Sequence, residues 1–127
     1  MRTDALAPVS WRARPQGFVA LMALYESNYV RLGWLAGDLG AIPRESVSAV
    51  EGDCELRLRI VSRARYTTCL ELTYPPLALP EMHVRVYHDA HLAEAQGAGG
   101  STSERWTRNM LLNKWLEYCV ERGHRFA

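Results

Sequence analysis

Three consecutive stretches of the chain place apolar side chains on alternate positions. In "CELRLRIVS" (Cys54–Ser62), Leu56, Leu58 and Ile60 alternate with Glu55, Arg57 and Arg59. In "YTTCLELTY" (Tyr66–Tyr74), Leu70 and Leu72 stand opposite Thr67, Glu71 and Thr73. In "MHVRVYHDA" (Met82–Ala90), Met82, Val84 and Val86 share one side, and His83, Arg85, Tyr87 and Asp89 the other. A period of two sorts these sets onto opposite faces of a strand. Strands greasy on one face only must bury that face under another layer.

The flanking segments supply the layer. Phe18, Leu21, Met22, Tyr25, Tyr29, Leu32 and Leu39 recur at helical spacing. Pro15 is tolerated at the first helical position, and Gly37, Gly40 and Pro43 end the run. After the connector "GAGGSTS", Ser101 and Glu104 have the spacing of a capping box. Trp106, Met110, Leu112, Trp115, Leu116, Cys119 and Val120 then cluster on one side of a second helix, which Gly123 stops. The expected fold is α+β: an antiparallel β-meander of about four strands, covered on one face by an N-terminal and a C-terminal helix. "ESVSAVEG" (Glu45–Gly52) is a weaker candidate strand, and "HLAEAQ" (His91–Gln96) either extends the third run or returns alongside it. Pro75, Pro76 and Pro80 interrupt the ladder between the second and third runs. Residues 1–14 read as a loose arm, with Trp11 tucking into the core, and residues 15–127 as a single domain.

Composition narrows the function classes. The chain has 127 residues, 48% hydrophobic and 23% charged, a balance that suits one globular domain. A net charge of +1 argues against a dedicated nucleic-acid clamp. Cys54, Cys69 and Cys119 include no C-x-x-C pair, which argues against a disulfide framework or a structural zinc site. Reduced thiols point to the cytoplasm. Arg12 and Arg14 precede an apolar run, but it stops at Glu26 without a small-residue cleavage site. No segment reaches the ~18 apolar residues of a membrane span. No cofactor is expected.

The segment "HVRVYHDAH" concentrates His83, His88, Asp89 and His91. In a regular strand His83, Arg85, Tyr87, Asp89 and His91 share the polar face, and His88 falls with Val84 and Val86. His83 and Asp89 are then about 20 Å apart, and Asp89 and His91 about 6.6 Å. The imidazoles therefore do not converge, and no metal site is expected. His88 needs a hydrogen-bonding partner on the buried side, and Glu26 and Asn28 on the first helix are the candidates. A carboxylate beside His88 would also suit acid–base chemistry. His88, Asp89 and Glu26 are thus the candidate catalytic set, although no nucleophile motif accompanies them.

The polar sheet face is a second constellation. Arg57, Arg59, Arg85 and Tyr87 point one way, with Glu71 and Asp89 among them. They form either cross-strand ion pairs or an anion platform, since guanidinium forks suit phosphate and Tyr offers a stacking face. Arg65, beside Tyr66, is placed to pair with Asp89. Trp106 and Trp115 read as core anchors. Trp34 lies off the main stripe, and exposure there would mark a partner-binding patch.

"RYTT" (Arg65–Thr68), "LPEMHVRVYHDAHLAEA" (Leu79–Ala95), "NKWLEYC" (Asn113–Cys119) and "YESNY" (Tyr25–Tyr29) resemble the YqiB-like family of small bacterial proteins, a domain of unknown function. The pattern P-x-M-x-V-R-x-Y-H-D-A, here Pro80 to Ala90, carries most of the likeness. The resemblance implies a cytoplasmic bacterial protein with no assigned activity or cofactor. Where longer relatives carry an aromatic, Pro-Asn-containing segment, this chain has only "GAGGSTSER" before the last helix.

Together these features favour a non-enzymatic binding or interaction module for a protein partner or a small anionic ligand. The expected ligand-binding residues are Arg65, Tyr66, Arg85, Tyr87, Asp89 and Asn28. The alternative is a hydrolase-type enzyme acting on phosphate esters through His88, Asp89 and Glu26. A homodimer through an exposed edge strand is compatible with either.

Overall fold

A computed structural model describes residues 17–75 and 81–126. Helix α1 (Phe18–Ala36) precedes strands β1 (Glu45–Ser48), β2 (Leu56–Arg63), β3 (Thr67–Thr73), β4 (Glu81–Tyr87) and β5 (Leu92–Gln96), and helix α2 (Thr102–Glu121) follows. The strands form one antiparallel sheet in chain order. The fold is α+β as expected, but the meander has five strands rather than four, because both weak segments are strands. The arm at 1–14, Trp11, Pro15, Pro76 and Pro80 lie outside the described residues.

Register explains why β5 was hard to see. Leu58 faces Leu72, and Leu70 faces Val84, so even-numbered residues point inward across β2, β3 and β4. The turn at 88–91 then pairs Val86 with Ala93 and Val84 with Ala95. Inward positions therefore become odd-numbered in β5, and they are filled by alanine, which has little β propensity. The chain reverses at His91, which has φ 56°.

Both helices bury their apolar sides against this sheet. Leu32 and Leu35 of α1 and Leu112, Trp115, Leu116 and Cys119 of α2 join Leu56, Leu58, Leu70, Leu72, Val84 and Val86 in one core. Fully burying one such Leu or Val side chain contributes roughly 2 kcal/mol. Helix α1 stops where Gly37 turns left-handed (φ 67°) and returns its N–H to Gly33 O at 2.8 Å. Helix α2 opens on the expected capping box, with Ser101 and Glu104 bonded reciprocally.

Strand β5 ends the sheet, so one row of its backbone groups has no partner strand. Two helix asparagines bond to that row. Asn28 Nδ2 donates to Ala93 O at 3.2 Å, and Ala95 N–H donates to Asn109 Oδ1 at 2.7 Å. Asn28 also donates to Asn109 Oδ1 and accepts from Asn113 Nδ2, both at 3.1 Å. Ser27 and Arg31 continue the network, with Arg31 reaching Glu117 at 3.4 Å. An edge that would otherwise template aggregation is thus sealed from inside the fold.

Candidate anion-binding site

The catalytic set read from the sequence is not brought together. Strand β4 ends at Tyr87, so His88 lies in the turn, where its Nε2 meets Thr68 Oγ1 at 2.7 Å. Thr68, not Glu26 or Asn28, is the partner of His88. Asn28 is fully buried in the β5 seal, and Glu26 and Asp89 are exposed. The turn changes the geometry because His88 no longer follows strand alternation, although it still reaches the inner face. His91 stacks on Tyr29, with ring centroids 5.1 Å apart, and His83 faces Glu81 at 3.1 Å and Glu71 at 3.5 Å. The three imidazoles occupy three separate environments.

The predicted binding residues divide between two places. At the hairpin end, Arg65 lies over the Tyr66 ring at 5.1 Å, and Tyr66 O accepts the His88 N–H. Among the described residues Arg65 makes no ion pair with Asp89. The link between the "RYTT" and "HDA" segments runs through Thr68, Tyr66 and His88 instead. Arg85 and Tyr87 lie on the polar face, beside Glu94 of β5. Cross-strand pairing occurs there as Arg59–Glu71 at 2.9 Å, while Arg57 pairs with Glu55 of its own segment. Glu71, Glu81 and His83 bring donor atoms within 4.8 Å of one another. Each His83 nitrogen already faces a carboxylate there, and Arg59 holds Glu71.

The most perturbed titratable cluster was absent from the sequence reading. Tyr74 OH donates to Asp53 at 2.6 and 2.7 Å, and His124 Nε2 meets Asp53 Oδ2 at 2.9 Å. Arg122 lies 3.4 Å away, and Cys54 N–H donates at 2.8 Å. Led by the Tyr74 hydroxyl, these donors hold the Asp53 carboxyl well below the usual carboxylate range. The other His124 nitrogen meets Ser48 Oγ at 3.0 Å, which completes a Ser–His–Asp series. It does not present a nucleophile. Ser48 and His124 are buried, and Ser48 Oγ already accepts the Arg125 N–H. The series clasps the segment after α2 to β1 and to the β1–β2 loop.

The concave feature best suited to a ligand lies at the glycine-rich connector. A cavity of about 320 Å³ is lined by Glu94, Gln96, Gly97, Gly99, Gly100, Arg105 and Arg108, with Ala95. Arg108 donates to Ala98 O at 2.9 Å and Gly99 O at 2.8 Å, which fixes the loop around its guanidinium. A Cβ at residue 97 would sit 2.7 Å from Arg108 Cδ, so glycine is what lets the arginine lie flat on the loop. Gly99, at φ 92°, makes the left-handed turn beneath Glu104. Arg108 Nε is buried without a partner, and among the described residues Arg105 makes no ion pair. Glu94 is engaged by phenols: it accepts Tyr87 OH at 2.5 Å, and the Tyr25 hydroxyl lies beside the same carboxylate. Burial, then Glu94, pushes the Tyr25 hydroxyl up to about 12. Burial and Glu94 raise Tyr87 as well.

The site thus offers two guanidiniums above a loop of small residues, with its one lining carboxylate engaged by tyrosines. Glu104 is the capping partner of α2; Ser101 chiefly, with the Arg108 charge adding to it, lowers its carboxyl pKa. In the sequence the loop glycines mark a connector, and Arg105 and Arg108 carry no assigned role. The "GAGG" run followed by two arginines within eight residues of it was the available signal. Of the predicted residues, Arg85 and Tyr87 border this site through Glu94, and Arg65, Tyr66 and Asp89 sit at the hairpin end.

Comparison with known proteins gives a family and no activity. Residues 31–103 match the family model described as "Protein of unknown function (DUF1249)". "Uncharacterized protein YqiB" of Escherichia coli strain K12 is 33% identical, covering 84% of this chain and 90% of that protein. The proteins of the same description from strains O6:H1 and O157:H7 match to the same extent. No solved structure matches the chain. The family model spans more than half of the chain and the relatives most of it: the chain belongs to the DUF1249 family of proteins of unknown function and is similar to YqiB.

Proposed function

We propose that the protein is a non-enzymatic binding module whose ligand is a small anion seated between Arg105 and Arg108. One observation carries this reading: two guanidiniums converge on a cavity whose only lining carboxylate is already hydrogen-bonded to tyrosines. Guanidinium groups recognise phosphate and carboxylate through paired N–H donors. His88, Asp89 and Glu26 point to different surroundings, so the hydrolase alternative gains no support from their placement. Free thiols at Cys54, Cys69 and Cys119 fit a reducing cytoplasm.

The test is calorimetric titration with inorganic phosphate. The wild-type protein binds it, and Arg105→Ala weakens binding about tenfold or more, because a charge-assisted hydrogen bond contributes roughly 1.5–3 kcal/mol. Arg105 is exposed, so its truncation leaves the fold intact. Equal affinity in the two proteins, or no binding by either, refutes the assignment.

A protein partner is the second reading, and Trp34 favours it. Its ring is 45% exposed on α1, with the Arg31 guanidinium over it at 5.5 Å. Exposed tryptophan is enriched in binding hot spots.

A further inference from the structure

We infer that the anion recognised at Arg105 and Arg108 carries an apolar substituent, which lies along α2 against Leu111. The inference rests on the anion-site reading above and specifies the class of ligand. Arg108 lines two cavities. One is the polar cavity at the connector; the other, of about 400 Å³, is lined by Ala98, Ser103, Glu104, Thr107, Arg108 and Leu111. Arg108 is pinned between them by its bonds to Ala98 O and Gly99 O. A group bonded to this guanidinium from the polar side is therefore one side-chain width from the Leu111 groove.

The groove has the chemistry of an apolar contact. Leu111 is 41% exposed on α2. Ala98 and the Thr107 side chain complete a carbon-rich wall, and Thr107 Oγ1 is turned back onto Ser103 O at 3.0 Å. Glu104 stands at the groove's end, committed to the cap of α2. It repels a second acidic group, so the substituent must be uncharged. The occupant is a small phosphate monoester bearing an aryl or short alkyl group. Burying a group of that size against Leu111 gains affinity in proportion to the apolar area covered.

Inorganic phosphate, phenyl phosphate and vesicles containing an acidic phospholipid separate the possibilities in the full-length chain. Phenyl phosphate binds the wild-type protein about tenfold tighter than inorganic phosphate does. Leu111→Ala removes that increment and leaves inorganic phosphate affinity within about twofold, the separation expected for independent contacts. If inorganic phosphate itself does not bind, the anion site fails, and this inference with it. If phosphate binds and phenyl phosphate binds no tighter, or if Leu111→Ala leaves the increment unchanged, the anion site stands and the apolar substituent is refuted. Binding to the vesicles without a phenyl phosphate increment also overturns it, in favour of a lipid headgroup. A helical circular dichroism spectrum equal to wild type confirms that Leu111→Ala is folded.

Discussion

Asn28→Ala loses about 3 kcal/mol of folding stability, because it strips partners from buried polar groups on three other residues. Ala93 O, Asn109 Oδ1 and Asn113 Nδ2 all bond the Asn28 amide. Each buried group left unsatisfied costs roughly 1–3 kcal/mol. Asn109 keeps its bonds to Ala95 N–H and to Arg105 O, and Asn113 keeps Ser27, so part of the network survives. The loss therefore falls well short of three full penalties. Urea denaturation reads it as a lower midpoint, and thermal unfolding as a fall on the order of 10 °C for a domain of this size. The variant also aggregates more readily, since the Ala93 carbonyl on the sheet edge is freed. Unchanged stability would show that the Asn28 hydrogen bonds add nothing net to the fold.

His124→Ala is expected to match that loss, about 3 kcal/mol, through a buried cavity and an unpaired Ser48 hydroxyl. Asp53 adds a pH dependence to the same clasp. Its carboxyl is more acidic folded than unfolded, so acid protonates it first in the unfolded chain. The contribution is present in full above the ordinary aspartate value of about 4 and drains away as pH falls below it. Asp53→Asn starts from a lower melting temperature at pH 7 and loses less on acidification than wild type. Parallel curves for the two proteins between pH 6 and 2.5 would remove Asp53 from the account.

How much of this could be read from residues alone depends on the kind of signal each element carries. Strands β2, β3 and β4 alternate strongly because one face is buried, and Ser101 with Glu104 marks the start of α2 by a local rule. Strand β5 was ambiguous because its inward positions are alanines, chosen by the closeness of the helices rather than by strand preference. The site was less legible than the fold. His88 was correctly expected to need a partner, but its turn position selected Thr68, a residue twenty positions earlier. Asn28 was expected to reach His88 or a ligand, and it seals the β5 edge instead. Asp53, Tyr74 and His124 are spread over more than seventy residues, so no spacing rule joins them. Arg105 and Arg108 carry no motif in the sequence, and only the folded path of the glycine connector gives them a cavity.

The odd-numbered inward set of β5 has a consequence for how this chain can vary in length. Removing or adding one residue in the turn at 88–91 would swing Glu94 into the core and push Ala93 and Ala95 out to water. The Tyr87 and Tyr25 hydroxyls would lose their acceptor, and the two asparagines would face the wrong backbone groups. Viable insertions or deletions at that hairpin therefore come in pairs, and a single-residue gap there in any natural or engineered sequence must be offset by a bulge before Glu94.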